Sequence, residues 1–193
     1  NITWTDGYPL NNNPRRCHQL GRPKMRGSRQ TKPLREPISA NLFPLFMENA
    51  GNNAKYKKDL KRAQFRVAYT ILYYTVLRLN EIKILTQDDI QKAIDARPFN
   101  IVHFKTKQSH IHIRGNQAVK DLKKLEPDYQ IIFQKHHYKY LFGKNKPSHE
   151  KQMIRSINLD LKNTCERFNI LYNIKSHSFR INMISSLLKI TSV

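Results

Sequence analysis

The stretch Thr75-Val76-Leu77-Arg78-Leu79-Asn80-Glu81-Ile82 sets one arginine directly behind a run of apolar residues. Upstream, Phe65, Ala68, Ile71, Leu72 and Thr75 recur at helical spacing behind a basic first half, Lys57-Lys58-Asp59-Leu60-Lys61-Arg62. This predicts a helix from about Tyr56 to Val76 whose second half is core. Arg78 then stands at the C-terminal end of that helix. Such an arginine is ordinarily a charge favoured by the helix dipole, or a partner for Glu81 three residues on. Here the adjoining run should be buried, so the guanidinium needs a deliberate partner, and a phosphate is one candidate.

Working outward, the first 32 residues lack any apolar period and are rich in Asn, Pro, Gly and Arg, as in Asn11-Asn12-Asn13-Pro14-Arg15-Arg16. They read as a basic linker or arm. Ordered sequence begins near Pro33. Ser39 can cap a helix carrying Leu42, Leu45, Phe46 and Met47, which Gly51 closes. Beyond Arg78 a turn and short helix lead to Thr86-Gln87-Asp88-Asp89-Ile90. From Asn100 the period changes, with Val102 and Phe104, then Ile111 and Ile113, alternating with polar residues, so a β-hairpin is expected. Helical spacing returns in Val119, Leu122 and Leu125, and Pro127 breaks it. Ile154, Ile157, Leu161, Cys165 and Phe168 predict a long helix, and Ser176 is placed to cap a last one that starts at His177. The fold class is α+β, mainly α, with a small hairpin, and residues 33–193 form one domain.

Composition narrows the partner. Thirty-five Lys and Arg against 14 Asp and Glu give a formal charge of +21, far beyond what solubility asks, so a polyanion is the natural partner. No apolar run approaches the roughly 20 residues that cross a bilayer. Cys17 and Cys165 alone make no disulfide framework and suit a reducing, intracellular compartment. The sequence has no phosphate-binding glycine loop, dinucleotide turn or nucleophile elbow, so no nucleotide cofactor is expected.

Two further basic groups carry chemistry. Lys105 and Lys107 fall at the hairpin tip, where a lysine usually guards an exposed edge, although on a reaching tip it can protonate a leaving oxygen. The hairpin alone does not choose between the two. His177-Ser178-Phe179-Arg180 opens the last helix, and residues three apart share a face beside the free N–H groups of a helix start. This makes a phosphate site, with a surface His and Arg as the ordinary alternative. His103, His110 and His112 near the hairpin lack a neighbouring Cys or carboxylate to complete a metal site, so no metal is expected.

The order of these pieces resembles the tyrosine recombinase (phage integrase) family. A helix ending in Leu-Arg-x-x-Glu-Ile, a Thr-x-x-Asp-Ile segment, a Lys-Thr hairpin, a long basic amphipathic helix and a His-x-x-Arg helix start follow one another from about Lys32 to Val193. The resemblance implies a DNA breaking and rejoining enzyme without metal or ATP. It makes Arg78 and Arg180 the arginines that bind the scissile phosphate, and His177 an aid to proton transfer. By the Lys105-Thr106 pair, Lys105 becomes the general acid toward a 5′-hydroxyl leaving group. Glu81 takes a structural role.

The same resemblance places a nucleophilic tyrosine downstream of the His-x-x-Arg helix. All nine tyrosines, the last being Tyr172, lie upstream of His177, so none is assigned. The expectation is a catalytic domain lacking its C-terminal segment, able to bind DNA but not to cleave it. Lys57, Lys58, Lys61, Arg62, Lys107 and Arg155 are candidate DNA contacts, supplying affinity rather than sequence preference. Double-stranded DNA is the expected partner, with a homotetramer for the whole protein. Heavy use of Asn, Ile and Lys suits an AT-rich bacterium, phage, plasmid or organelle. A non-catalytic DNA-binding remnant of a mobile element and a basic RNA-binding protein are the competing readings.

Overall fold

The chain leaves Ile38, fully buried, through a turn in which the Ser39 carbonyl accepts the N–H groups of Leu42 and Phe43. Helix α1 (Phe43–Asn49) follows, with Pro44 in its first turn, where a missing N–H costs nothing. Leu42 is its N-cap and no side chain caps it, so Ser39 contributes through its backbone, contrary to expectation. The structure, a computed structural model, describes residues 36–191 apart from 53, 55, 56, 96, 103–108, 113 and 114. Of 99, 100, 102, 109–112 and 186–191 only the backbone is described. The expected basic arm and the hairpin tip with Lys105 and Lys107 lie outside the described residues.

Gly51 turns the chain out of α1 with φ +69°, a left-handed conformation that favours glycine. A Cβ there would lie 2.7 Å from the Arg62 backbone, so the absent side chain also permits close approach to α2 (Lys58–Tyr74). Helix α2 begins two residues later than expected and is the axis of the domain, packing against helices before and after it in sequence. Phe65, Ala68, Ile71, Leu72 and Thr75 are all buried, as their spacing predicts. The helix stops at Tyr74, short of Arg78. Thr75 turns extended, its Oγ1 donating to the Ile71 carbonyl at 2.6 Å and accepting the Leu77 N–H at 3.3 Å. A β-branched pair, Thr75-Val76, in an extended turn thus ends the helix before the arginine.

Arg78 is therefore not a helix C-terminus but the N-cap of the short α3 (Leu79–Ile82). Helix α4 (Gln87–Ile94) opens with a capping box, Thr86 Oγ1 accepting the Asp89 N–H at 3.3 Å while Asp89 accepts the Thr86 N–H at 2.9 Å. The expected hairpin is present as β1 (Phe99–Val102) and β2 (Ser109–His112), antiparallel with Phe99 opposite His112 and Val102 opposite Ser109. Ile101 is buried and β1 packs on α4. Helix α5 (Asn116–Lys123) then gives way to α6 (Glu126–Tyr129), where Pro127 sits in a first turn and starts a helix rather than only ending one. A π-helical turn, Gln130–Lys135, continues it. Apolar spacing alone did not separate these short pieces.

Helix α7 (Glu150–Arg167) buries Met153, Ile157, Leu161 and Cys165, and α8 (Ser176–Thr191) packs against both α2 and α7. Phe168, counted with the buried face of α7 from its spacing, lies past the helix end and is exposed. A buried network ties three elements together behind α8. The Tyr69 hydroxyl donates to Asp160 Oδ2 at 2.7 Å, and the Gly51 N–H donates to Asp160 Oδ1 at 3.0 Å. The Tyr69 ring stacks on Phe179, centroids 5.3 Å apart, both side chains fully buried.

Burial pushes the Asp160 carboxyl above its ordinary range, against the pull of the Tyr69 and Gly51 donors. A carboxyl raised in the folded state favours folding below its unfolded value, about 3.9, and that contribution fades as pH rises through the folded value. The tyrosine donor limits this fading. Tyr69→Phe should therefore cost about 1–3 kcal/mol at neutral pH, where the carboxylate loses a bond it needs, and less near pH 4. Urea unfolding of variant and parent at both pH values measures the difference.

Candidate phosphate-binding site

Arg78 and the pair His177 and Arg180 are distant in sequence, yet they line one concavity of about 210 Å³ with Leu72, Leu77, Leu79, Asn80, Ile154 and Ser176. Local structure explains each placement. The Thr75 turn carries the chain from α2 to the start of α3, and there the backbone N–H of Arg78 donates to Glu81 Oε2 at 2.7 Å. Arg78 Nη1 donates to Glu81 Oε1 at 3.1 Å. Glu81 is 1% exposed against 37% for the arginine, so a buried carboxylate orients a guanidinium that faces outward. This is the partner at i+3 that the sequence suggested.

Helix α8 starts at Ser176, one residue earlier than its spacing predicts. The Ser176 N–H donates to Asn158 Oδ1 on α7 at 2.9 Å, and the Lys175 N–H donates to Ser178 Oγ at 3.2 Å. Ser178, not Ser176, thus folds back on the helix start. Ser178 and Phe179 are fully buried, so the two residues between His177 and Arg180 anchor the helix while that pair lines the concavity. Sequence reasoning missed Asn80, Asn158 and the Tyr69–Asp160 link. Asn80 stood inside the arginine motif, but an asparagine in a turn carries no chemical signal of its own.

The remaining cations sort into two sets. Lys61 and Arg155 line a second concavity of about 420 Å³ with Phe65, Phe142, Ser148 and Gln152 among others. Lys61 lies over the Phe65 ring, 5.9 Å from its centroid, and burial, then the nearby Lys57 charge, lowers its ammonium pKa. Lys57, itself in a left-handed conformation, and Lys58 are exposed at the start of α2. Arg62 is exposed on α2, where its charge counters the burial that raises the Asp128 carboxyl, after the nearer Arg66. Helix α7 connects these places, Ile154 lining the first concavity and Arg155 the second. The described residues hold no cluster of three or more His, Cys, Asp or Glu suited to a metal, and no described helix is long and apolar enough to cross a membrane.

Chemically, two guanidinium groups and an imidazole around one small hollow make a site for a tetrahedral oxyanion. A mainly helical domain with such a hollow beside its central helix defines a class, and the comparisons define it further. The profile of the phage integrase family matches residues 35–191, so the chain belongs to the phage integrase, or tyrosine recombinase, family. The crystal structure of XerA recombinase is similar in fold, with a TM-score of 0.53 and 19% identity. The match covers 82% of this chain and 53% of that one, so this chain spans about half the length of that recombinase. No curated protein sequence matches the chain.

The Glu81 anchor is open to a direct test. Glu81→Ala should lower stability by about 1–3 kcal/mol, since it strips the acceptor from the Arg78 N–H and guanidinium, and Glu81→Gln should recover part of that. Thermal or urea unfolding of the three proteins reads the order.

Proposed function

We propose that this chain is the phosphate-binding part of the catalytic domain of a site-specific DNA recombinase that cuts and rejoins duplex DNA through a 3′-phosphotyrosyl intermediate. The observation that carries the reading is the convergence of Arg78, His177 and Arg180 on one concavity. In this reading the arginines bind the two non-bridging oxygens of the scissile phosphate and stabilise the charge that builds on them as a fifth oxygen bonds to phosphorus. His177 assists phosphate binding and proton movement. Lys105, beside Thr106 at the hairpin tip, gives its proton to the 5′-oxygen as the phosphorus–oxygen bond breaks, and Lys107 is the neighbouring DNA contact.

No tyrosine lines the concavity among the described residues, which supports a nucleophile supplied from outside residues 1–193. The tyrosyl oxygen bonds to phosphorus and the 5′-hydroxyl leaves, and rejoining reverses the step. Residues 33–193 are in this reading the catalytic domain without its C-terminal segment, and residues 1–32 a basic arm. Lys57, Lys58, Lys61, Arg62 and Arg155 hold the backbone of the duplex on either side, and four copies assemble on paired sites in the whole protein. No metal or nucleotide takes part in these steps.

Two measurements test the reading. This chain should bind duplex DNA with a steep salt dependence, and Lys61→Ala or Arg155→Ala should each weaken it at every sequence tried and shallow the log–log salt slope by about one. The complete protein should form a covalent adduct on a nicked suicide duplex, which Arg78→Ala and Arg180→Ala abolish while leaving the fold and most duplex affinity intact. Preference for structured RNA over duplex DNA at matched salt would sink the proposal, as would a complete protein that binds DNA but never forms the adduct.

A further inference from the structure

The two arginines of the concavity are held differently. Arg78 has its own carboxylate, Glu81, at 3.1 Å. Arg180 has no ion pair among the described residues, and its Nε–H is buried without a hydrogen-bond partner. A second buried atom without a partner belongs to a residue of the same concavity: Oδ1 of Asn80. One is a donor and the other an acceptor. Each alone costs about 1–3 kcal/mol, so a structure that keeps both calls for a reason.

We propose that Asn80 is the positioning residue for Arg180, its Oδ1 accepting the Arg180 Nε–H once an anion occupies the concavity. This inference rests on the phosphate-site reading and adds a role to it. The guanidinium has five N–H donors in a fixed plane, and fixing Nε orients the terminal pair. Both Nη groups are then left for the oxygens of a phosphodiester. Asn80 sits on the first turn of α3, one residue from Glu81 and two from Arg78, so a single short helix orients both arginines. Arginine is long and rotamer-rich, and an anion that draws the guanidinium in brings Nε–H to Oδ1 in this proposal.

The choice of an amide follows from charge. Glu81 already offsets one of the two guanidinium charges. A second carboxylate at position 80 would anchor Arg180 more tightly but would leave the hollow with little net attraction for a phosphate. An amide anchors without neutralising.

Inorganic phosphate is the probe, titrated into this chain with Arg Nε–H signals observed by nitrogen-15 NMR and Arg180 assigned through Arg180→Lys. In the parent, phosphate should bring the Arg180 signal into slow solvent exchange and move the Asn80 amide signals. In Asn80→Ala, the Arg180 signal should stay in fast exchange and the phosphate Kd should rise about three- to tenfold, the worth of one hydrogen bond. In Asn80→Asp, the signal should be protected before any phosphate is added, while the Kd rises tenfold or more. Circular dichroism and the unfolding midpoint establish that both variants keep the fold. If Arg180→Lys abolishes phosphate binding while both Asn80 variants match the parent in signal and Kd, the role of Asn80 is refuted and the phosphate site stands. If Arg180→Lys binds phosphate as the parent does, the site reading fails and this inference with it.

Discussion

Two guanidinium groups that line one small hollow repel each other, the more so the less water lies between them. The domain is arranged around that constraint. It holds Arg78 and Arg180 at one concavity and offsets the charge of only one of them with a nearby carboxylate. One buried carboxylate, Glu81, lowers the repulsion from the side of Arg78. On the side of Arg180 the restraint comes from packing. Phe179 is sealed in the core against Tyr69, and the helix start is pinned to α7 through Asn158. Charge is managed on one side and rigidity on the other.

The second half of α2 supplies that rigidity. It is buried nearly all round, and its Tyr69 hydroxyl reaches Asp160 at 2.7 Å, while one turn earlier Gln64 Nε2 donates to the Leu141 carbonyl at 2.8 Å. Asp160 in turn accepts from Gly51 at the exit of α1. One buried carboxylate therefore joins α1, α2 and α7 just behind the helix that presents His177 and Arg180. Any shift of these elements would leave a buried donor or the carboxylate unmet, at a cost of about 1–3 kcal/mol.

What the sequence made legible follows from which forces are periodic. The buried faces of α2 and α7 repeat at helical spacing over several turns, so Ala68, Ile71 and Leu72, and likewise Ile157 and Leu161, were assigned to the core correctly. The hairpin was legible for the same reason at a period of two. Short pieces carry too few repeats. Arg78 was placed at the end of α2 because the apolar run continues through Val76 and Leu77, whereas the Thr75 hydroxyl ends the helix by competing for the backbone. Pro127 was read as a break because a proline inside an apolar pattern is one, yet in a first turn it is a start. Ser176 lost its expected capping role because the helix begins on it rather than after it, and Ser178 Oγ accepts the Lys175 N–H at the helix start.

The candidate site was legible in its basic residues and not in its amide. Arg78 was picked out because a cation beside a buried run needs a partner, His177 and Arg180 because residues three apart share a face at a helix start, and the fold brings all three to one concavity. Asn80 lay between two of the residues chosen and was passed over, since an amide in a turn satisfies itself in most proteins. Only its surroundings show that here it does not: its oxygen is buried and unpaired in a hollow where an arginine donor is also unpaired. Sequence carries the strong interactions of a site, those that impose a cost wherever they occur. The weaker ones that aim them become visible only when the unmet donors and acceptors of the folded chain can be placed side by side.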